Sequence, residues 1–386
     1  STPSSNRRQR QMCIRDRFRD GNRFRMYYRG SHYDQAKSQA AHREVTCYAE
    51  SEDGIHWNKP KLGLFEFNGS KQNNIVLDGL GTHCFVAFKD TNPDCPADAR
   101  YKGIARGRPE GKRGLYVFQS ADGIRWSLMH SEPVITMGAF DSQNLAFWDP
   151  IAKVYREYHR TFTDGIRAIM TSTSSDFLTW SDPVLLEYPH AQPEHLYTNA
   201  IQVSSRAPHL LIGFPTRFLP ETERVEPTFM SSRDGQSFRR WLEPVVPEDA
   251  PEDREGNRSN YMAWGHVEVP GRPDHYSVYA TEAYYTGPDS RLRRFEYRKD
   301  GFVSVRGRAG GGELVSRPIQ LGALAERLVL NLVTQVGGSV RVGIEGADGS
   351  PIDGYSLADA VPLEGDQLRA NVTWEQGADL STLKGR

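Results

Sequence analysis

Ser120–Trp126 reads SADGIRW, and nearly the same heptapeptide, SEDGIHW, stands at Ser51–Trp57. Ser174–Trp180 (SSDFLTW) and Ser232–Phe238 (SRDGQSF) keep the order Ser, any residue, Asp, three residues, aromatic, and a degenerate copy carries Asp300. The aspartates recur about every 50 to 70 residues, which is the spacing of a repeated supersecondary unit rather than of scattered turns.

Each copy follows an alternating, aromatic-rich run (REVTCYAES, GLYVFQS, RAIMTSTS, EPTFMSS) and precedes a short apolar one (KLGLFEF, EPVITM, DPVLLE, EPVVP). Such runs, punctuated by Asp, Gly and Pro, read as strands joined by a hairpin. In the turn, Ser and Asp side chains bond back to the backbone and Gly supplies positive φ. Two further strands lie upstream of most copies, as in SQNLAFWD and VYREYHRTF. The unit is therefore four strands, A to D, repeated five times. That pattern predicts an all-β chain whose residues 18–309 form a five-bladed β-propeller.

Composition agrees with this: 11% aromatic residues, 35 Gly and 23 Pro suit a turn-rich β protein. No apolar run approaches the roughly 20 residues of a membrane span. The formal charge of −1 is too balanced to suggest a nucleic-acid partner. The expectation is a monomer without cofactor, a structural calcium ion in the channel being left open. Cys47, Cys84 and Cys95 fit no zinc spacing and read as buried thiols.

Both ends are read apart. Arg7–Arg17, RRQRQMCIRDR, resembles the in-frame translation of a transposon-type sequencing adapter, so residues 1–17 are expected to be a non-native leader outside the fold. Blade one would then begin near Phe18 and lack its innermost strand. Any signal peptide would lie in the missing region, and an extracellular or periplasmic setting is expected. Past RAGGGELVSRPI, the runs ERLVLNLVTQ, SVRVGIEG and QLRANVTW predict a smaller β-sandwich-like domain over 310–386, stopping short of a closing strand.

In a propeller the starts of A strands and the ends of B strands meet at one mouth of the central channel. The A starts offer His83, then FDSQN with Asp141 and Asn144, then EHLYTN with Glu194, His195 and Asn199, then NRSNY with Arg258, Asn260 and Tyr261. Asp141 and Glu194, on neighbouring blades, are the candidate catalytic pair, because glycosidic cleavage needs one carboxyl to protonate the leaving oxygen and a second to activate water or attack. The B ends offer Arg29, Arg106 or Arg108, Arg160 and Arg217, guanidinium groups suited to carboxylate or sulfate. These arginines, with His83 and the polar A-start residues, are the candidate substrate-binding set, and Tyr197, Tyr261 and Trp264 are candidate stacking surfaces.

On the Ser-x-Asp hairpins at 51–57, 120–126 and 174–180 and the five-unit count, the chain resembles the five-bladed propeller glycoside hydrolases, the clan that includes families 32, 43, 62 and 68. The resemblance implies the propeller, a sandwich appendage and activity on glycosidic bonds. It also implies acids near the A-strand starts: a base or nucleophile in blade one, Asp in blade two and Glu in blade three. Here blade two has His83 at that place, with Asp90 at the far end of its A strand, and blade three has Asp141. The family triad does not carry over, so Asp141 and Glu194 rest on strand topology. The expected function is cleavage of an acidic or sulfated oligo- or polysaccharide; the alternatives are a non-catalytic carbohydrate-binding propeller and a phosphorolytic enzyme of the same fold.

Overall fold

The computed structural model describes residues 11–34, 37, 39–246, 261–282, 291–322 and 325–384. It forms two compact units, Ser1–Glu296 and Tyr297–Arg386. The division falls earlier than the expected break at Gly310.

The first unit is a succession of antiparallel meanders. Blade one joins Gln11–Asp20, Arg23–Ser31, Val45–Ser51 and Ile75–Asp78. Blade two joins His83–Lys89, Tyr101–Gly107, Gly114–Ser120 and Ser127–Leu128. Blade three joins Leu145–Asp149, Val154–Thr163, Ile166–Ser174 and Val184–Leu185. In blade five, His275–Glu282 pairs with Arg291–Arg298, while Met262 and Val267 bridge to Ala280 and Ser277. The B strands are buried on both faces because each blade is packed between two others. On Arg23–Ser31, Tyr27 meets Phe85 and Trp126 of blade two, while Met26 and Tyr28 pack in a cluster with Ala263 of blade five.

Blade four is bent. Its inner strand breaks between Leu196–Thr198 and Gln202–Val203, its second between Leu211–Gly213 and Thr216–Leu219, its third between Arg224–Pro227 and Phe229–Ser232. Pro215 has no N–H to give a ladder at this level and Ala200 sits at φ 44°. The freed amides of Asn199 and Ala200 are taken by Gln143 Oε1 at 3.2 and 2.7 Å. The upper half thus becomes a separate three-stranded sheet.

The repeated heptapeptide holds the ring together. In each intact copy the Ser hydroxyl donates to the Asp carboxylate (2.9–3.0 Å) and accepts the amides of the Asp and the residue after it. That following residue has positive φ: Gly54 75°, Gly123 73°, Phe177 68°, Gly235 82°. In the three glycine copies its carbonyl is the socket for a tyrosine of the preceding blade: Tyr27 donates to Gly123 (2.7 Å), Tyr158 to Gly235 (2.9 Å) and Tyr279, in blade five, back to Gly54 in blade one, whereas Phe177 O accepts from Trp180 Nε1 (3.1 Å). The Tyr279 contact closes the circle, and a bridge between Asp16 and Trp264 closes it on the inner side.

These turns also set an acid limit. Hydrogen bonding from His56 and the turn amides holds Asp53 below the usual carboxylate range. Burial works to raise Asp122, Asp176 and Asp234, but the two following amides and the serine outweigh it, so all three are lowered. A lowered folded-state value stabilises above the unfolded carboxylate value and is lost as pH falls through the folded one. The urea midpoint should therefore hold from about pH 7 to about pH 5 and drop below about pH 4. A midpoint unchanged down to about pH 2.5 would contradict the role given to these turns.

The expectation that residues 1–17 stand outside the fold is corrected at its C-terminal part. Gln11–Asp20 is the inner strand of blade one, antiparallel to Arg23–Ser31 with a bulge between Ile14 and Asp16. Asp16 and Arg17 are buried; Asp16 accepts the Ala87 amide at 2.9 Å, and the Arg17 guanidinium donates to Gly265 O at 2.8 Å and lies over the Tyr279 ring. The physical reason is the open ladder edge of Arg23–Ser31, which an alternating segment in register satisfies. Blade one is accordingly not short of its innermost strand.

In the second unit, Val329–Val333 pairs with Asp366–Asn371 around a core of Ala360, Leu363, Ala370, Val372, Trp374, Leu380 and Leu383. Beyond this ladder the described residues form only isolated bridges, such as Val340 with Leu363, where a sandwich predicts two packed sheets.

Candidate functional site

Antiparallel pairing brings A starts and B ends together. His83 lies across from Arg106, Leu196 across from Arg217, and the Asp141 carboxylate meets the Arg160 guanidinium. The C strands start at the same rim, since Gly30 faces Val45 and Thr163 faces Ile166.

Three charged groups result. Glu44, just before a C strand, sits between Arg29 (3.3 Å) and His83 Nδ1 (2.8 Å). Burial works to lower the His83 imidazolium, but contacts with Cys84 and Glu44 outweigh it and raise the group to about 9. In the second group, Asp141 is half exposed while its partner Arg160 is buried. Partial burial works to raise the Asp141 carboxyl; the charge of Arg160, a backbone bond and the charge of Arg106 prevail and hold it below the usual range. In the third, Arg217 bonds Glu194 (3.2 Å) and Glu226 (2.9 Å), and Arg240 bonds Glu194 (2.9 Å) and Gln192 O (2.7 Å). The bend in blade four lifts Arg217 and Glu226 onto their own small sheet. A hydrogen bond from Ser142 Oγ to Tyr197 O at 2.5 Å ties the Asp141 segment to the Glu194 segment.

Other expected residues fall differently. Asn144 and Asn199 are fully buried; Asn144 Nδ2 donates to the carbonyls of Phe140 and Ser142, so it shapes the rim turn instead of facing a ligand. Asn199 likewise works within the fold, its side chain spent on Tyr158 O and the Ile201 amide. Trp264 is buried with its indole on Ile201 O, so it offers no stacking face. Tyr197 and Tyr261 are half-buried and meet edge to face at 5.2 Å. His195 Nδ1 faces Arg167. Arg258 and Asn260 lie outside the described residues. Sequence reasoning passed over Glu44, Arg167, Glu226 and Arg240; the first three stand at or beside C-strand starts, which the rule used for A and B strands would have reached. Among the described residues, no three His, Cys, Asp or Glu side chains gather as a metal site, and no helix is long and apolar enough to cross a membrane.

The chain has a β-propeller fold similar to that of solved carbohydrate-active proteins. A solved β-1,2-mannobiose phosphorylase from Listeria innocua is similar over 78% of this chain and 94% of that one, with a TM-score of 0.55 and 11% identity. A structure described as a glycoside hydrolase matches 79% of this chain and 92% of its own length, with a TM-score of 0.51 and 13% identity. No protein-family model and no curated protein sequence matches the chain. At these identities the likeness is one of fold.

Proposed function

We propose that this protein is a carbohydrate-active enzyme that cleaves glycosidic bonds in an acidic or sulfated glycan, with Asp141 and Glu194 as its acid pair. The observation that carries the reading is the charge of the rim. Arg29, Arg106, Arg160, Arg167, Arg217, Arg240 and Arg293, with a protonated His83, outnumber Glu44, Asp141, Glu194, Glu226 and Glu282 at these strand ends among the described residues. Such an excess makes a positive field that an anionic substrate would complete. The glycan class is supported by fold analogy with the glycoside hydrolase and the phosphorylase above. An extracellular or periplasmic setting accords with such a substrate.

A second reading, phosphorolysis, is favoured by the same arginine excess, because inorganic phosphate would supply both the anion and the nucleophile. The test is a paired titration of a sulfated oligosaccharide and its desulfated form at two salt concentrations. The charged form is expected to bind at least about tenfold more tightly at low salt and to lose that advantage as salt rises. Equal affinity at both salts would remove the anionic-glycan reading. If cleavage is then seen only with added phosphate, phosphorolysis replaces hydrolysis.

A further inference from the structure

Arg160 and Arg167 stand on adjacent strands of blade three and share two aromatic rings. The Arg160 guanidinium lies 5.1 Å from the Phe162 ring centre and 4.9 Å from that of Tyr197; Arg167 lies 5.5 and 5.1 Å from the same two and 4.6 Å from Phe218. Two cations about 5 Å from one ring centre are at most about 10 Å apart, and stacking on π faces compensates each only in part. Asp141 neutralises Arg160. Arg167 has no carboxylate within ion-pair reach among the described residues. Nε and Nη1 of buried Arg160, and Nε of Arg167, also find no hydrogen-bond acceptor there. His195 adds a third donor: its Nδ1 faces the backbone and guanidinium N–H groups of Arg167, each at 3.3 Å, so the ring proton sits on Nε2. Beside them Phe162 is half exposed.

We infer that Arg167, with Arg160 and the Nε2–H of His195, seats an oxyanion, and that Phe162 supplies an apolar face beside it. As a glycan subsite this rests on the function proposed above: the oxyanion is then a sulfate ester or carboxylate of the sugar, held beside the Arg160–Asp141 pair. A free phosphate ion has the same chemistry, and the experiment separates the two sources.

Binding is measured calorimetrically for the wild type and for R167A, R167K, H195A and, as an outer-surface control, R125A. The titrants are a sulfated tetrasaccharide, its desulfated form and sodium phosphate. R167A should weaken the sulfated sugar about tenfold or more, R167K and H195A by less, and R125A not at all, while the desulfated sugar stays unchanged in all. Phosphate that binds as tightly as the sulfated sugar, and is equally sensitive to R167A, supports the seat and assigns it to a free anion. Loss of phosphate binding in R167A without sugar binding by any variant supports the seat and removes the glycan reading alone. Unchanged affinity for both anions in R167A and R167K, or no anion binding by the wild type, overturns the inference. R167K keeps a charge on the same rings and carries the test if R167A fails to fold.

Discussion

Replacing Lys102 by Met is expected to cost about 3–5 kcal/mol of folding stability. The Lys102 ammonium is paired with the Asp90 carboxylate between blades two and three, their side chains 3% and 0% exposed. Asp90 also accepts from Tyr155 OH (2.7 Å) and the Asn92 amide (2.9 Å), while Lys102 reaches Cys95 Sγ (3.2 Å) and Ala99 O (3.3 Å). Burial works to lower the Lys102 ammonium, but Asp90 outweighs it and the group is raised, so it stays charged. Removing it strands a carboxylate that keeps two donors but no countercharge. Against a total stability of about 5–15 kcal/mol, that loss is large. The exposed Arg125–Asp122 pair is the comparison: R125A should cost under about 1 kcal/mol. Urea unfolding measures both, and K102M within about 0.5 kcal/mol of wild type would show that the network carries little.

Asp141→Asn and Glu194→Gln are expected to lower kcat by about 10²–10⁴ each while weakening binding of a neutral oligosaccharide far less. Asp141, held below the usual carboxylate range by Arg160 and Arg106, stays ionised at neutral pH. That suits a base or nucleophile and leaves proton donation to another group. The acid limb of kcat should accordingly fall below the ordinary carboxylate range. The amide in D141N keeps the shape of the carboxylate and still accepts from Arg160, so a fall in kcat is separable from unfolding by the melting curve. Wild-type turnover in both variants would remove the assignment.

Much of this was legible in the chain because the Ser-x-Asp turn is local: its hydroxyl, carboxylate and positive-φ residue are near neighbours in sequence, and its spacing counts the blades. The rim rule, A start against B end, reached Asp141 with Arg160 and Glu194 with Arg217 for the same reason, since antiparallel pairing needs no long-range knowledge. It stopped one strand early and missed Glu44, Arg167 and Glu226. Asn144 and Asn199 were misplaced because a polar residue at a rim strand reads alike whether it faces solvent or satisfies a break in the backbone. The break in blade four depends on three strands failing at one level, and Pro215 alone does not announce it. Residues 11–17 were set aside on their resemblance to an adapter, which says nothing of the vacant ladder edge they fill.

The most direct test of the central claim is product analysis of the wild-type protein incubated with an acidic oligosaccharide, with and without phosphate. New reducing ends, or sugar phosphates when phosphate is present, lost in both D141N and E194Q, are the expected result. Tight, salt-sensitive binding of the intact oligosaccharide with no bond broken under either condition would contradict it and leave a propeller that holds glycans without cutting them.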